Sequence, residues 1–353
     1  MLSEVIRYSG SYAKVKAMMG KLLTDEDYKA LLAKNTVNDI AAYLKNKTNY
    51  AGALKGISES EIHRGQLEEI LQEEKEREFV KLFKYENGAN KRFFGVFIFR
   101  YEIELLKEML RMLENGILMT FADKTNDYYK KHMSIDTQKL ANSQTISQFI
   151  ENLKGSPYYD ILSRFTANQE HLNIFSIEMT LDVYYFGRAW KIIDKLLEKN
   201  DKRLVEESFG TEIDILNIMW ILRCKKYFDT PKEIIYSFIL PKRFKLKRDA
   251  LVSLVEANGV DEAYEILKKT PYKKVFEKED VFMEQYYNKF IHSLQKKLSR
   301  MAPYSIMTML SYIHEKDIEI NNIIKIIEGI RYKLDMKEIE KYLIIKSGDI
   351  DGS

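Results

Sequence analysis

The chain has 353 residues, with only 15 glycines, 5 prolines and one cysteine, and 56 basic against 53 acidic side chains for a formal charge of +3. So few breakers leave long stretches for helices and exclude an all-β sandwich or a linker-rich chain, while the near-neutral balance excludes a globally basic nucleic-acid binder. The mix of 31% charged and 45% hydrophobic residues is that of a folded chain, neither disordered nor integral to a membrane, and at ~100–200 residues per domain the length predicts two or three domains.

In chain order, nearly every segment carries the 3.6-residue period. A short helix is expected from residue 37, with Thr36 as N-cap and Ile40 and Leu44 on its buried face. Residues 59–78 hold eight glutamates against three basic residues around the stripe Ile62, Leu67, Ile70 and Leu71, a solvated helix with one buried edge. Val80, Phe83, Tyr101, Leu105, Leu106, Met109, Leu110 and Leu113 recur at three- and four-residue spacing as one apolar helix face. The same texture returns at 174–197, 282–298 and 318–330. No alternating run is long enough for a strand, so the class is all-α. The longest apolar runs, 93–99 and 234–240, fall short of the roughly 20 residues of a spanning helix, and the N-terminus is not expected to be a signal peptide.

An internal repeat dominates the sequence. Thr36 to Leu44, then Thr48-Asn49-Tyr50 and Leu54, aligns with Thr145 to Leu153, then Ser156-Pro157-Tyr158 and Leu162. Gly259 to Leu267, then Thr270-Pro271-Tyr272 and Phe276, is the third copy. Thr36, Thr145 and Gly259 stand at N-cap positions, with Asp39, Gln148 and Glu262 three residues on; the second copy has the full capping-box pattern. Thr48, Ser156 and Thr270 are read as caps of a second helix, with Pro157 and Pro271 at its first position, where no N–H is needed. A further matched element aligns Glu104, Asp214 and Glu319, each read as opening a helix whose dipole favours a carboxylate. The repeat is about 110 residues, giving domains at 1–130, 131–235 and 236–346 and a tail at 347–353.

Chemistry-bearing motifs are absent: no phosphate loop, no G-x-G-x-x-G, no G-x-S-x-G and no H-E-x-x-H. The five histidines are scattered. The lone Cys224 permits no internal disulfide and reads as a small core residue. No catalytic residue, cofactor or metal is expected. The contact candidates are the basic run Lys242, Arg243, Lys245, Lys247 and Arg248 and the recurrent acidic positions Glu104, Asp214 and Glu319. Phe244 and Leu246 inside the run favour docking over simple solvation, and an anionic lipid surface would also suit it. A scaffold for other protein partners and a helical enzyme with a buried acidic pair are the alternative functions.

Tyr8-Ser-Gly-Ser-Tyr-Ala-Lys-Val-Lys-Ala-Met18 followed by Lys21-Leu-Leu23 resembles the opening of the C-type stalk component of prokaryotic V-type (A-type) ATPases, related to the d-type component of the eukaryotic V-ATPase, with Lys14 and Lys16 where that family has arginines. Thr48-Asn49-Tyr50 resembles its Leu…Thr-x-Tyr turn. Residues 102–111 resemble its acidic-x-x-Asn-Leu-Lys segment, with Leu105-Leu106 in place of Asn-Leu, and Glu319 to Asn322 resembles its Glu-x-Arg-Asn. The resemblance implies a funnel of three similar helical domains about a pseudo-threefold axis. It also implies a non-catalytic socket between the central-stalk subunits (D and F type) and the membrane rotor ring of ion-carrying subunits, peripheral on the cytoplasmic face. Neither nucleic acid nor a small-molecule substrate is implied as a partner.

Overall fold

The structure is a computed structural model that describes residues 2–86, 88–117, 127–166, 174–197, 199–228, 230–276 and 283–345; the tail at 347–353 lies outside them. It is 77% helical, with seventeen α-helices and no strand among the described residues. The first four helices are α1 (Leu2–Met19), α2 (Asp25–Leu32), α3 (Val37–Lys47) and α4 (Arg64–Tyr85). Ten follow: α5 (Gly88–Glu114), α6 (Asp127–His132), α7 (Thr137–Ala141), α8 (Ile146–Asn152), α9 (Tyr159–Leu162), α10 (Ile174–Leu196), α11 (Lys199–Arg223), α12 (Lys232–Phe238), α13 (Arg248–Glu256) and α14 (Val260–Leu267). The last three are α15 (Met283–Met301), α16 (Ile306–Arg331) and α17 (Met336–Lys341).

The chain divides into two compact units, residues 1–86 with 280–353, and residues 87–279. The first unit joins the two ends of the chain. Its core brings Leu31, Ile40, Leu44 and Leu54 from the N-terminal helices and Leu67 and Leu71 from α4 onto Ile320, Ile323, Ile326 and Ile327 of α16, none more than 1% exposed. The second unit packs α10 along α5 and carries α11 to α14. There Phe93, Phe94, Leu106, Met109, Leu110, Ile177, Leu181 and Ile193 are buried. At ~25 cal/mol per Å² of apolar surface, such side chains supply most of what stabilises each unit.

The periodic segments appear where the spacing places them, with informative differences. The apolar face running through Val80 and Leu113 belongs to two helices, because the chain turns after Tyr85 and Gly88 takes φ +56°, a conformation glycine adopts without a Cβ clash. The segments after Thr48, Ser156 and Thr270 are single short turns, not helices of working length. In each, the hydroxyl accepts the tyrosine N–H two residues on, at 3.2 Å for Tyr50, 3.3 Å for Tyr158 and 3.2 Å for Tyr272. The turn therefore aims a tyrosine. The reciprocal capping box occurs at Thr24 and Asp27. At Gln148 and Glu262 the side chain instead accepts the N–H one residue ahead of the cap, from Gln144 and Asn258, both at 2.8 Å. Cys224 is 1% exposed, where α11 widens into a π turn, and burial pushes its thiol upward.

Candidate functional site

The three aimed tyrosines end on buried carboxylates. Tyr272 donates to Asp214 at 2.6 Å, Tyr158 to Glu102 at 2.7 Å, and Tyr50 to Glu319 at 2.7 Å. None of the carboxylates opens a helix: Glu102, Asp214 and Glu319 lie inside α5, α11 and α16. Each accepts from a segment outside its own helix, and none sits in a first turn where the helix dipole would hold it. In the first unit the tyrosine comes from the N-terminal part of the chain and the acid from α16, 269 residues away. Burial, then the neighbouring carboxylate, pushes all three tyrosine hydroxyls well above their ordinary range, so each remains a donor.

Each carboxylate also takes the backbone of the segment leading into the small helices. Glu102 accepts the N–H of Ser134 at 2.5 Å and its hydroxyl at 2.9 Å. Asp214, with no exposed surface, accepts three successive amides: Phe244 at 3.0 Å, Lys245 at 2.7 Å and Leu246 at 2.8 Å. Glu319 accepts the N–H of Leu23 at 2.5 Å and the ammonium of Lys316 at 2.7 Å. Three residues beyond two of these acids stands an asparagine. Asn217 accepts the N–H of Leu240 at 2.8 Å, and Asn322 both accepts from and donates to the backbone of Ile344. Buried charge is costly unless such donors surround it, and hydrogen bonds to a carboxylate are about twice as strong as neutral ones.

The structure thus sorts the predicted contact residues. Asp214 and Glu319 are equivalent and buried. Their counterpart in the first copy is Glu102, while Glu104 is 55% exposed and pairs with Lys107 at 3.1 Å. The repeat alignment is two residues out of register there, because Leu105 replaces the asparagine that marks the motif. The acidic-x-x-Leu reading of 102–105 already carried the right residue.

Lys242, Arg243, Lys245, Lys247 and Arg248 are all exposed, the first four on the loop between α12 and α13 and Arg248 at the first position of α13. The loop bends over Asp214, with Leu246 buried and Phe244 39% exposed. Phe244 lies over Gly210, where a Cβ would come within 2.7 Å of the phenylalanine Cβ. Lys242 sits 5.6 Å from the centre of the Trp190 ring, and Lys245 is 3.9 Å from Glu207. Among the described residues no ion pair involves Lys242, Arg243, Lys247 or Arg248, and no group of three or more His, Cys, Asp or Glu side chains is placed to hold a metal.

Fold and site together define an all-helical protein in which three buried tyrosine–carboxylate pairs fasten short turns to long helices. Residues 11–342 match the family model described as ATP synthase (C/AC39) subunit. The chain is 23% identical to the C-type component of the A-type ATP synthase from Methanocaldococcus jannaschii, over 98% of this chain and 88% of the relative. It is 24% identical to the corresponding A-type ATP synthase component of Methanosarcina acetivorans (96% and 93% covered) and 25% identical to that of Archaeoglobus fulgidus (94% and 95% covered). The chain belongs to the ATP synthase (C/AC39) family and is a structural, non-catalytic part of its complex. No helix among the described residues is long and apolar enough to cross a membrane.

Proposed function

We propose that this chain is the coupling piece of a rotary ATPase. It joins the central stalk, through D- and F-type subunits, to the membrane rotor ring of ion-carrying subunits, from a peripheral position on the cytoplasmic face. In this reading the three repeats form three helical domains about a pseudo-threefold axis, and the exposed candidates, the basic run at 242–248 and Glu104, meet partner proteins. The observation that carries the proposal is the recurrent fastening. Three times, a block of small helices is held to a long helix through a buried tyrosine–carboxylate pair and a backbone amide. Transmitting torque needs helices that do not slide, and dense packing with satisfied internal polar contacts supplies that stiffness.

The test is reconstitution of the complex with and without this chain. Without it, ATP hydrolysis by the head should continue while ATP-driven ion movement into vesicles is lost, and adding the chain back should restore movement. Ion movement that persists at full rate in its absence would refute the role.

A further inference from the structure

The basic run is more than an exposed charge cluster. Five cations occur within seven residues, 242–248, and four of them take part in no ion pair among the described residues. Several cations elsewhere in the fold are paired, Lys316 with Glu319, Arg64 with Glu68 and Glu328, and Lys107 with Glu104 and Asp182, so what sets the run apart is the density of unpaired charge. Two of the unmatched charges also stand where the helix itself repels them. Lys247 is the N-cap of α13 and Arg248 its first residue, with no side-chain cap bond, beside the positive end of the helix dipole. Asp249 supplies the nearby acid in that first turn. Local conflict of this kind is where function overrides folding preference.

The backbone beneath these charges is fixed. Asp214 takes the amides of Phe244, Lys245 and Leu246, and Tyr272 adds a fourth hydrogen bond at 2.6 Å. Phe244 on Gly210 and Leu246 in the core pin the loop from below. With the amides turned inward, the lysine and arginine side chains face outward on a preformed frame. We infer that residues 242–248 are a preshaped cationic clasp for a folded protein surface carrying several carboxylates, on another member of the complex, and that Asp214 is the positioning residue that shapes it. The inference rests on the reading of this chain as part of that complex. A bilayer attracts basic segments of any shape, so it has no use for a loop whose amides are held by three hydrogen bonds to one carboxylate. A fixed set of carboxylates does, because preorganisation removes the cost of ordering the loop on docking and sets the register of the charges.

The experiment measures binding of the purified chain to the complex assembled from its remaining subunits, as a function of salt from about 0.05 to 0.5 M. The triple variant K242E/R243E/K245E should bind at least about tenfold more weakly near 0.1 M salt, with a much shallower salt dependence. Asp214→Asn, which keeps every surface charge, should weaken binding by about three- to tenfold, and so should Gly210→Ala, which lifts Phe244 without touching the carboxylate. Glu102→Gln damages the equivalent clamp away from the loop, and its binding should stay within about twofold of wild type. If Glu102→Gln weakens binding as much as Asp214→Asn, the aspartate acts through general stability and the positioning role is overturned. If charge reversal leaves binding to the complex intact, the clasp is overturned while the membership reading stands. If the wild-type chain does not join the complex at all, it is the membership reading that fails. Binding of the isolated chain to phosphatidylglycerol vesicles, lost on charge reversal while binding to the complex is unchanged, would assign the loop to lipid and overturn the proposal.

Discussion

Asp214 in the second unit and Glu319 in the first occupy the same place in the repeat, accept from equivalent tyrosines, and are neutralised by different means. Asp214 collects three backbone amides and a phenol and pairs with no cation among the described residues. Glu319 collects one amide, a phenol and the ammonium of Lys316, which also donates to the Tyr50 hydroxyl at 2.8 Å. Glu102 follows the Asp214 pattern with one amide and two hydroxyls. The difference has a geometric cause. At Asp214 a continuous loop presents successive amides, because residues 244–246 follow one another across the carboxylate. At Glu319 the approaching segment, ending at Leu23, supplies one amide, and a lysine one turn back on the same helix fills the remaining space. A charge held by backbone can be lost only by moving the backbone. A charge held by a lysine depends on a second side chain.

The largest effect should separate these two modes. Asp214→Asn puts an NH₂ group against donors and should cost about 4 kcal/mol, since each hydrogen bond to a buried charge contributes about 1.5–3 kcal/mol. Amide exchange at 244–246 should speed up together with the loss. Chemical denaturation and hydrogen exchange measure both, and a cost below about 1 kcal/mol would mean that the amides do not depend on the charge.

At Glu319 the cation is the weak point. Lys316→Met should cost about 3 kcal/mol by leaving Glu319 underpaired at 2% exposure. Adding Glu319→Gln should then recover part of that loss, about 1–2 kcal/mol, because removing both charges costs less than orphaning one. A double variant no better than the sum of the singles would show that the pair is not coupled.

Asp182 extends the comparison to a second lysine-dependent acid, held by Lys107 from α5. Burial, opposed by that lysine, pushes its carboxyl up from 3.8 to about 6. The native state therefore binds this proton more tightly than the unfolded chain does. The stabilisation is present below about pH 4 and is lost as pH rises through about 6, a total of about 3 kcal/mol at 1.36 kcal/mol per unit. The stability of the wild type relative to Asp182→Asn should accordingly decline between pH 4 and pH 6.5. A difference that stays flat or rises would contradict the assignment.

How much of this could be read in the sequence depends on whether the signal was local. The longer helices, the N-caps Thr36 and Thr145 and the threefold Thr/Ser-x-Tyr turn were legible because capping and periodicity act over three or four residues. That the turn tyrosines seek buried acids was not legible, since the partners lie 56, 58 and 269 residues away. The burial of Asp214 and Glu319 was hidden for the same reason: an acid on a helix reads as solvated until another segment closes over it. The register slip at Glu104 has a particular cause. Two acids stand at 102 and 104, and the asparagine that distinguishes them in the other copies is Leu105 here.

That leucine yields the smallest and most specific test of the comparison. Asn217 and Asn322 tie down the segments at Leu240 and Ile344, yet Leu105 fills the same position, 5% exposed, in the first copy. The asparagine is thus an accessory to the clamp, required only where a backbone passes. Asn217 is itself half-satisfied: its oxygen accepts from Leu240 while its amide nitrogen is buried without a partner. Asn217→Leu strands one N–H, at about 1–3 kcal/mol, but relieves that nitrogen and adds apolar contact, so the net loss should be only about 1 kcal/mol. Asn322→Leu strands both the N–H and the C=O of Ile344 and should cost about twice as much. Thermal denaturation of the two variants side by side decides it. Equal losses would mean that the asparagines act through packing, and the backbone tie would have to be abandoned as the reason they are there.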